Sequence, residues 1–539
     1  MSSESNILIV GGGPVGLSMS IQLSRLGVRH TLVERNRGVS PHPKARLVNP
    51  RSIELLRLWG MGDAVDAVRV TVDPVFFFGT DLVSPWKQVF RPAEMLATEE
   101  AASVSPSLTE GVLCSQDVLE PILRECARSH PEADIRFGWE AEVTKGLGEA
   151  GPANAVLRNL ADGKVETMTA RFIIAADGAA SPIRDQLAIE VTGADRTLEA
   201  ISVLFRADLS PYGGSSAPFF VLSNPDTIGT AVIAPVDEED RSALLGRPKI
   251  MDELPLDEID WEKVIRDGTG LPDLELEIID VRAWRAAVAI ATEYRRGNTF
   301  LVGDSAHVMP PNGGFNMNTG MQDAHNLAWK IAAVLQGWGD EKLLDTYDSE
   351  RRPVALFNAA EAVRNLKVMV DENEEGRAGG FRQDHYVHPG LALGYRYNNG
   401  AIVYRPDQDR EDNWPVGHYD NTAVPGARAP HVWIGEAGKE TMSTLDLFEH
   451  DFILLTTPEA GKDWAPIVKE VGQASSVPLR LVTLGKGGDF ACQSGKCADL
   501  YGLANDSAVL VRPDGHVGWC APEVDGDGLR SALDTTTGK

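Results

Sequence analysis

Three glycines near the amino terminus constrain the fold of this chain more than any other feature. Gly11, Gly13 and Gly16 form the pattern G-x-G-x-x-G directly after the short apolar run 6–10. In this pattern the first glycine permits a tight turn, the second lets the backbone approach a pyrophosphate, and the third lets helix and strand pack closely. A helical pattern and another short apolar run, 30–33, follow. This order predicts a βαβ unit that opens a doubly wound parallel sheet.

Acidic residues stand at the ends of several predicted strands. Glu34 ends the strand after the glycine turn, where a carboxylate can accept ribose hydroxyls and would repel a 2′-phosphate, so the pattern favours FAD or NAD over NADP. Asp177-Gly178 follows the apolar run 171–176, and Gly303-Asp304 follows 299–302. Open α/β sheets bind ligands at such strand ends. A glycine turn without a ligand and a plain NAD-dependent dehydrogenase stay open at this point.

Composition excludes several classes of protein. The chain has 539 residues, 43% of them hydrophobic and 24% charged, which excludes disorder over the whole length and a fibre. With 51 basic and 78 acidic residues, the net charge of −27 argues against binding to nucleic acid or to an anionic membrane. Five cysteines are too few for a disulfide framework. No signal-peptide pattern and no run of about 18 apolar residues occurs, so we expect a cytoplasmic protein that does not span a membrane.

Three motifs, in this order and spacing, resemble the single-component FAD-dependent aromatic hydroxylases, also called class A flavoprotein monooxygenases. They are the glycine fingerprint that ends at Glu34, the pattern D-G-x-x-S-x-x-R at 177–184, and the pattern G-D-S-A-H at 303–307, which continues through 318–330. The resemblance covers nearly the whole chain. Within the family, the sequence is most similar to the phenol and polyketide hydroxylases that carry a C-terminal thioredoxin-like domain.

The resemblance implies an α/β fold with three parts. A Rossmann-like FAD-binding domain carries an inserted, mostly antiparallel β-sheet substrate domain, and a thioredoxin-like α/β domain follows. The expected boundaries are 1–75, 105–190 and 281–395 for the discontinuous FAD-binding domain, 76–104 and 191–280 for the substrate domain, 396–425 for a linker, and 426–539 for the thioredoxin-like domain.

The resemblance also implies the chemistry. FAD is the cofactor, NADPH or NADH and O2 are co-substrates, and a flavin C4a-hydroperoxide transfers oxygen to a phenolic or polyketide aromatic substrate. Two alternatives are an FAD-binding protein without oxygenase activity and a Baeyer–Villiger or other flavin oxygenase on the same fold. The expected partner is a small aromatic molecule, and a homo-oligomer is left open.

Residues at the cofactor follow from the same resemblance. Lys44 stands where the family usually has arginine, and Asn316 stands where it often has glycine. The expected cofactor residues are Gly11, Gly13, Pro14, Val15, Gly16, Glu34, Arg35, Lys44, Arg46, Gln116, Asp177, Gly178, Gly303, Asp304, Pro311, Gly314, Asn316, Met317 and Asn318.

Two residues are candidates for catalysis. Arg46 falls where some phenol hydroxylases place a histidine or aspartate base, but arginine stays protonated and cannot act as a base. It could bind a phenolate or an acidic substituent, or it could serve FAD. His42 is a candidate proton carrier, with a structural role as the alternative. The aromatic side chains of Phe219, Phe220 and Trp284 are expected in a substrate pocket or in the core, and no metal site is expected.

Overall fold

A computed structural model of the chain describes residues 7–70, 74–91, 107–193, 198–213, 217–237, 239–370, 389–404, 415–435, 442–492, 494–504 and 506–539. Two expected segments lie partly outside the described residues. These parts are residues 405–414 of the linker expected at 396–425 and residues 92–104 of the substrate-domain segment expected at 76–104.

The described residues form the following elements in chain order. The strands are β1 Ile7–Val10, β2 His30–Glu34, β3 Leu47–Val48, β4 Pro74–Gly79, β5 Gln88–Phe90, β6 Val112–Leu113, β7 Ala133–Phe137, β8 Trp139–Lys145, β9 Ala153–Asn159, β10 Val165–Ala170, β11 Phe172–Ala175, β12 Val191–Thr192, β13 Leu198–Arg206, β14 Ala217–Asn224, β15 Gly229–Pro235, β16 Arg241–Gly246, β17 Glu277–Ala286, β18 Ala289–Ala291, β19 Arg295–Arg296, β20 Thr299–Leu301, β21 His307–Val308, β22 Trp433–Gly435, β23 Met442–Ser443, β24 Phe452–Thr456, β25 Leu479–Thr483, β26 Ala491–Cys492, β27 Ala508–Val511 and β28 Val517–Ala521.

The α-helices are α1 Pro14–Arg25, α2 Pro50–Leu58, α3 Gly62–Asp66, α4 Gln116–Ser129, α5 Pro182–Gln186, α6 Ser210–Gly213, α7 Trp261–Thr269, α8 Phe315–Gln336, α9 Thr346–Val370, α10 Pro389–Leu393, α11 Gly461–Ser475, α12 Cys497–Tyr501 and α13 Gly526–Thr537. Short 3-10 helices occupy Lys249–Asp252, Gly303–Ser305, Glu341–Asp345 and Thr444–Leu447.

A six-stranded sheet in the order β19-β20-β11-β1-β2-β7 forms the centre of the first domain. Its strands are parallel except β19, which pairs with β20 in the antiparallel sense. Strands β1 and β11 are continuous apolar runs because helices and neighbouring elements cover both faces of a parallel sheet. Helix α1 packs against α4 and α8. The predicted doubly wound sheet and its opening βαβ unit are therefore confirmed.

A second sheet, of seven strands, has the order β17-β13-β16-β15-β14-β4-β5. Every neighbouring pair is antiparallel except β14 and β4, so the predicted mostly antiparallel sheet is confirmed. Helix α7 packs on one face, where Trp261 and Ile265 join the core. The expected domain boundary at position 280 falls inside strand β17, which ends at Ala286. The exact domain boundaries stay a prediction.

The C-terminal part of the chain has its own four-stranded sheet in the order β25-β24-β27-β28, with α11 and α13 packed on it. Strands β24 and β25 are parallel, and the other pairs are antiparallel. Phe452 on β24 contacts Trp329 and Trp338 of the first domain edge-on, with ring centroids 5.9 and 6.3 Å away. The predicted α/β fold class is confirmed, and the C-terminal region packs directly on the FAD-binding domain.

Buried charges join these two parts of the chain. Glu350 on α9 accepts hydrogen bonds from Arg512 at 2.8 and 2.9 Å and from Lys330 at 2.8 Å, and none of the three side chains is exposed. Burial would raise the pKa of Glu350, but the two cations lower it to about 2. Asp514 binds the same guanidinium of Arg512 at 2.5 Å. The carboxylate of Glu350 therefore has to stay charged for the interface to stay neutral.

We predict that Glu350→Gln lowers the free energy of unfolding by about 3 kcal/mol or more, because it leaves buried cations without their counter-charge. Urea unfolding at matched flavin content measures this loss. The matched control is Glu341→Gln, since Glu341 is more than half exposed and pairs with the exposed Arg171; its effect should stay within about 0.5 kcal/mol. Equal effects of the two substitutions would contradict the role of the buried pair.

Candidate functional site

A cavity of about 2070 Å³ lies between the two large sheets. The turn after β1, the ends of β2 and β11 and the loop before α8 line one part of it, and one face of the seven-stranded sheet lines another part. Sites for a single small ligand usually measure about 300–1000 Å³. This cavity therefore has room for a large cofactor and a second molecule side by side.

The glycine turn forms the wall at the end of β1. Gly11 has φ +111°, a conformation that side chains disfavour, and a Cβ there would lie 2.1 Å from the carbonyl oxygen of Ala176. A Cβ on Gly16 would lie 2.0 Å from the carbonyl oxygen of Gly11. Strand β11, the turn and helix α1 approach so closely that only glycine fits at these two positions.

The amino terminus of α1 faces the cavity. Gly13 is its N-cap, no side chain caps the helix, and its first turn holds no acidic residue, so its unpaired N–H groups stay available to an anion. A Cβ on Gly13 would meet no protein atom within 4 Å, because the space beside it is cavity. Glu34 lies on the same wall, where it accepts from the backbone of Gly12 at 2.8 Å. These features fit the pyrophosphate and ribose of the expected FAD.

Asp304 lies at the cavity surface after β20, in the 3-10 helix. Its carboxylate accepts a hydrogen bond from the side-chain amide of Asn316 at 2.8 Å, and the oxygen of that amide lies 2.9 Å from Nδ1 of His307. Desolvation raises the pKa of Asp304, and His307 and Lys44 oppose that rise. The departure from the family glycine at position 316 therefore has a structural consequence: the asparagine links Asp304 to a buried histidine.

Behind the cavity wall, His307 joins a buried acid that the sequence analysis gave no role. Its Nε2 lies 2.7 Å from Asp323, and Arg351 donates to the other oxygen of Asp323 at 2.8 Å. Burial would lower the pKa of His307, but Asp323 and Asn316 prevail and raise it. The pKa of Asp323 is lowered, because His307 and Arg351 outweigh its burial. In the sequence, the only signal for this network was the presence of polar residues within a long predicted helix.

Most of the expected cofactor residues line the cavity. Asp177 precedes α5, whose N-cap is Ser181, and accepts from the hydroxyl of Ser181 at 2.5 Å and from the backbone N–H of Ile183 at 3.1 Å. Gln116 begins α4 and accepts from the backbone of Ala45 at 3.2 Å. The expected residues on the cavity wall are Gly11, Gly13, Pro14, Val15, Gly16, Glu34, Arg35, Lys44, Arg46, Gln116, Asp177, Gly178, Asp304, Pro311, Gly314, Asn316 and Met317. Their contact with a cofactor stays a prediction.

Gly303 and Asn318 depart from this pattern and lie behind the wall. A Cβ on Gly303 would lie 2.8 Å from the side chain of Val15, so this glycine permits close packing, and its contact with a cofactor stays a prediction. The side chain of Asn318 donates to the carbonyl oxygens of Leu47 and Gly314 and is 1% exposed. Both residues position the loops that line the cavity.

One face of the seven-stranded sheet closes the cavity opposite the glycine turn. Because side chains alternate along a strand, Phe219 and Trp284 face the cavity. Phe219 stacks on Phe76, with ring centroids 4.7 Å apart. Phe220 does not lie in this pocket as expected: it points to the opposite face, is 1% exposed and stacks on Trp86 at 5.7 Å. The sequence could not tell which of two adjacent aromatic residues would face the ligand.

His42 and Arg46 lie on the loop after β2, over the seven-stranded sheet. His42 is buried between Ser202, 2.9 Å from its Nε2, and Asp280, 3.0 Å from its Nδ1. Arg46 donates to the carbonyl oxygen of Ala234 at 3.2 Å. Among the residues that the structure describes, no carboxylate forms an ion pair with Arg46, and burial lowers its pKa to about 10. The loop thus places a neutral base and an unpaired cation in one cavity.

Other chemistry finds no support in the described part of the chain. No group of His, Cys, Asp and Glu residues there has the arrangement of a metal site. No cysteine in the described residues forms a disulfide, and the backbone nitrogen of Cys497 lies 3.2 Å from the sulfur of Cys492. No helix in these residues is both long enough and apolar enough to cross a membrane.

Comparisons with known proteins agree with this geometry. A model of the FAD binding domain matches residues 4–362, and a model of the C-terminal domain of aromatic-ring hydroxylases matches 422–539. The tetracenomycin A2 monooxygenase-dioxygenase of Streptomyces glaucescens is 36% identical, over 99% of this chain and 97% of that protein. A putative polyketide hydroxylase of Streptomyces halstedii is 37% identical, over 96% and 93%. The crystal structure of aklavinone-11 hydroxylase with FAD and aklavinone has a TM-score of 0.85 and 31% identity, with 100% of both chains covered.

We predict that Gly13→Val weakens flavin binding by about tenfold or more, equal to about 1.4 kcal/mol, without destabilising the flavin-free protein. The new side chain would fill cavity space beside the helix terminus and touch no protein atom. Flavin absorbance of the purified protein and the melting temperature of its flavin-free form measure the two effects. Gly151→Val is the matched control, because that glycine also has open space around it but lies away from the cavity wall. Normal flavin affinity in Gly13→Val would contradict the placement of the pyrophosphate.

Proposed function

Because this chain belongs to the FAD-dependent aromatic-ring hydroxylases, we propose that it hydroxylates a planar, multi-ring phenol with electrons from NADPH or NADH. The protein is an FAD-dependent aromatic monooxygenase; the size of the substrate, the electron donor and the roles of individual residues are the proposed parts.

The shared cavity carries this proposal. A single space of about 2070 Å³ runs from the glycine turn to the face of the seven-stranded sheet, so cofactor and substrate can lie in contact without a partition. The sheet side presents a broad apolar surface, made by Phe76, Phe78, Phe219, Val221 and Trp284. An apolar surface made by five such side chains has room for fused aromatic rings, and it matches relatives whose names describe polyketide hydroxylation.

The residues around the cavity have separable tasks. Bound FAD supplies the activation of O2 and the transfer of one oxygen atom to the ring. The glycine turn and helix α1 hold the phosphates of FAD. The apolar sheet face orients the rings of the substrate and excludes water. Arg46 stabilises the negative oxygen of the ionised phenol, since it is a partly buried cation on the cavity wall without a carboxylate partner among the described residues. An ionised phenol has the electron-rich ring carbon that accepts oxygen.

The experiment that tests the proposal follows flavin reduction. The purified flavoprotein is mixed anaerobically with NADPH, and separately with NADH, in the presence of phenol, 1-naphthol or 2-hydroxyanthraquinone. We expect a multi-ring phenol to accelerate the loss of flavin colour about tenfold or more, and more than phenol does, because substrate binding orders the reaction site. Equal rates with every compound would contradict the substrate class. Absence of reduction by either nucleotide would contradict the electron donor.

We predict that Arg46→Met raises the apparent pKa of bound 2-hydroxyanthraquinone by about one unit, because removal of the positive charge from the cavity wall disfavours the phenolate. Spectrophotometric titration of the complex measures the shift. Arg206→Met is the control, since Arg206 is exposed, pairs with Asp240 and lies away from the cavity wall. If the two variants titrate alike, Arg46 does not bind the phenolate.

A further inference from the structure

Three side chains from distant parts of the sequence form a continuous hydrogen-bonded chain at the cavity wall. Ser202 lies on β13, His42 on the loop after β2, and Asp280 on β17. The hydroxyl of Ser202 is 2.9 Å from Nε2 of His42, and Nδ1 of His42 is 3.0 Å from the carboxylate of Asp280. Strands β13 and β17 pair directly, so register places the serine and the aspartate on one face of the sheet.

The chemistry of the groups fixes the direction of each hydrogen bond. The carboxylate of Asp280 can only accept, so Nδ1 of His42 carries a proton. In the neutral ring Nε2 is then unprotonated, and the hydroxyl of Ser202 donates to it. The lone pairs of that hydroxyl remain for a donor in the cavity. The chain is therefore oriented to accept a proton at Ser202 and to stabilise the resulting charge at Asp280.

Of the three groups, only Asp280 at the far end of the hydrogen-bonded chain is partly exposed. Ser202 lines the cavity and is 5% exposed, His42 is also 5% exposed, and the side chain of Asp280 is 27% exposed. Asp280 also accepts from Arg282, whose side chain reaches solvent, at 2.8 Å. The chain thus runs from the cavity wall to a partly exposed carboxylate.

The charged groups that face His42 keep it ready to accept a proton. Burial lowers its pKa, Asp280 opposes that effect, and the cations Arg282 and Arg46 reinforce it. His42 is therefore neutral near pH 7. If the imidazole were already charged, it could not take the proton from Ser202.

We propose that Ser202, His42 and Asp280 form a proton relay that ionises the phenol of the bound substrate. This inference rests on the proposed function and deepens it, because it assigns the base that Arg46 cannot be. Ser202 and His42 are the catalytic residues of the relay, since both line the cavity and exchange the proton, whereas Asp280 is a positioning residue that acts through His42.

The step is balanced in atoms and charge. The O–H bond of the phenol breaks and its proton bonds to the oxygen of Ser202, while the proton of Ser202 moves to Nε2 of His42. The products are a phenolate, an intact serine hydroxyl and an imidazolium that Asp280 stabilises. Loss of the Nε2 proton to water that enters the cavity after the product leaves then restores the relay, because Nδ1 keeps the proton that it donates to Asp280. The relay sets the rate at which the bound phenol ionises, whereas Arg46 sets the equilibrium pKa of that phenol.

A purely structural role for these hydrogen bonds makes a different prediction. Ser202 and Asp280 could simply fasten the loop that carries His42 to the sheet. Loss of either residue would then reduce stability or flavin content, but it would leave the proton-transfer rate of a bound phenol unchanged. The rate of ionisation therefore separates the two roles.

The test is a pH jump on the flavoprotein with bound 2-hydroxyanthraquinone, whose absorption moves to longer wavelength on ionisation. Stopped-flow absorbance beyond the flavin band gives the rate at which the phenolate forms. We expect Ser202→Ala to slow this rate by about tenfold or more, and Ser202→Thr, which keeps the hydroxyl, to remain within about threefold of the original protein. The equilibrium pKa of the bound probe should change little, in contrast to Arg46→Met.

Two further variants complete the design. Ser242→Ala makes the same substitution at a buried serine of the neighbouring strand β16, and it should leave the ionisation rate unchanged. His42→Ala should slow ionisation as Ser202→Ala does, and imidazole added to the buffer should restore part of the rate. If the probe binds but ionises at the same rate in Ser202→Ala and in the original protein, the relay is overturned and the proposed substrate class still stands. Failure of the original protein to bind the probe would overturn the proposed substrate class, and the relay with it.

Discussion

The carboxylate of Asp323 has no exposed surface, and the elements around it are arranged to keep its charge buried. Arg351 from α9 donates to one oxygen at 2.8 Å, and His307 lies 2.7 Å from the other. Because a buried charge without partners destabilises a protein by several kcal/mol, α8, α9 and the segment after β20 have to keep their relative positions. His307 extends this order through Asn316 to Asp304, at the cavity surface. The floor of the cofactor site therefore depends on charge pairing that lies one layer below it.

A second constraint acts from the opposite wall of the cavity. Alternation along the strands of the seven-stranded sheet sends one set of side chains into the core around α7 and the other set toward the ligand. The two large sheets thus contribute different functions to one space. The parallel sheet presents the glycine turn and the unpaired N–H groups of α1, which we propose bind the phosphates, whereas the antiparallel sheet presents an apolar surface with a few polar groups, among them Ser202. The loop that carries His42 and Arg46 connects the two functions.

The sequence predicted those parts of the fold and of the site that are formed by residues close together along the chain. The glycine turn, the strand that ends at Glu34 and the acids at the later strand ends are fixed by short patterns with a direct physical meaning. The substrate side is not local. Ser202 and Asp280 meet His42 only through the register of β13 and β17, for which one sequence has no signal. The same limit explains why the sequence left Phe220 between the pocket and the core, because a shift of one residue in a strand exchanges its two faces.

The central claim is that one cavity holds a multi-ring phenol with its hydroxyl directed at the relay and its rings on the antiparallel sheet. A crystal structure of the protein with FAD and 2-hydroxyanthraquinone tests this claim most directly. We expect the phenol oxygen to lie about 2.6–3.2 Å from the hydroxyl of Ser202, with the rings against Phe219 and Trp284. A complex in which the phenol oxygen points away from Ser202, or in which the rings bind outside the cavity, would contradict it.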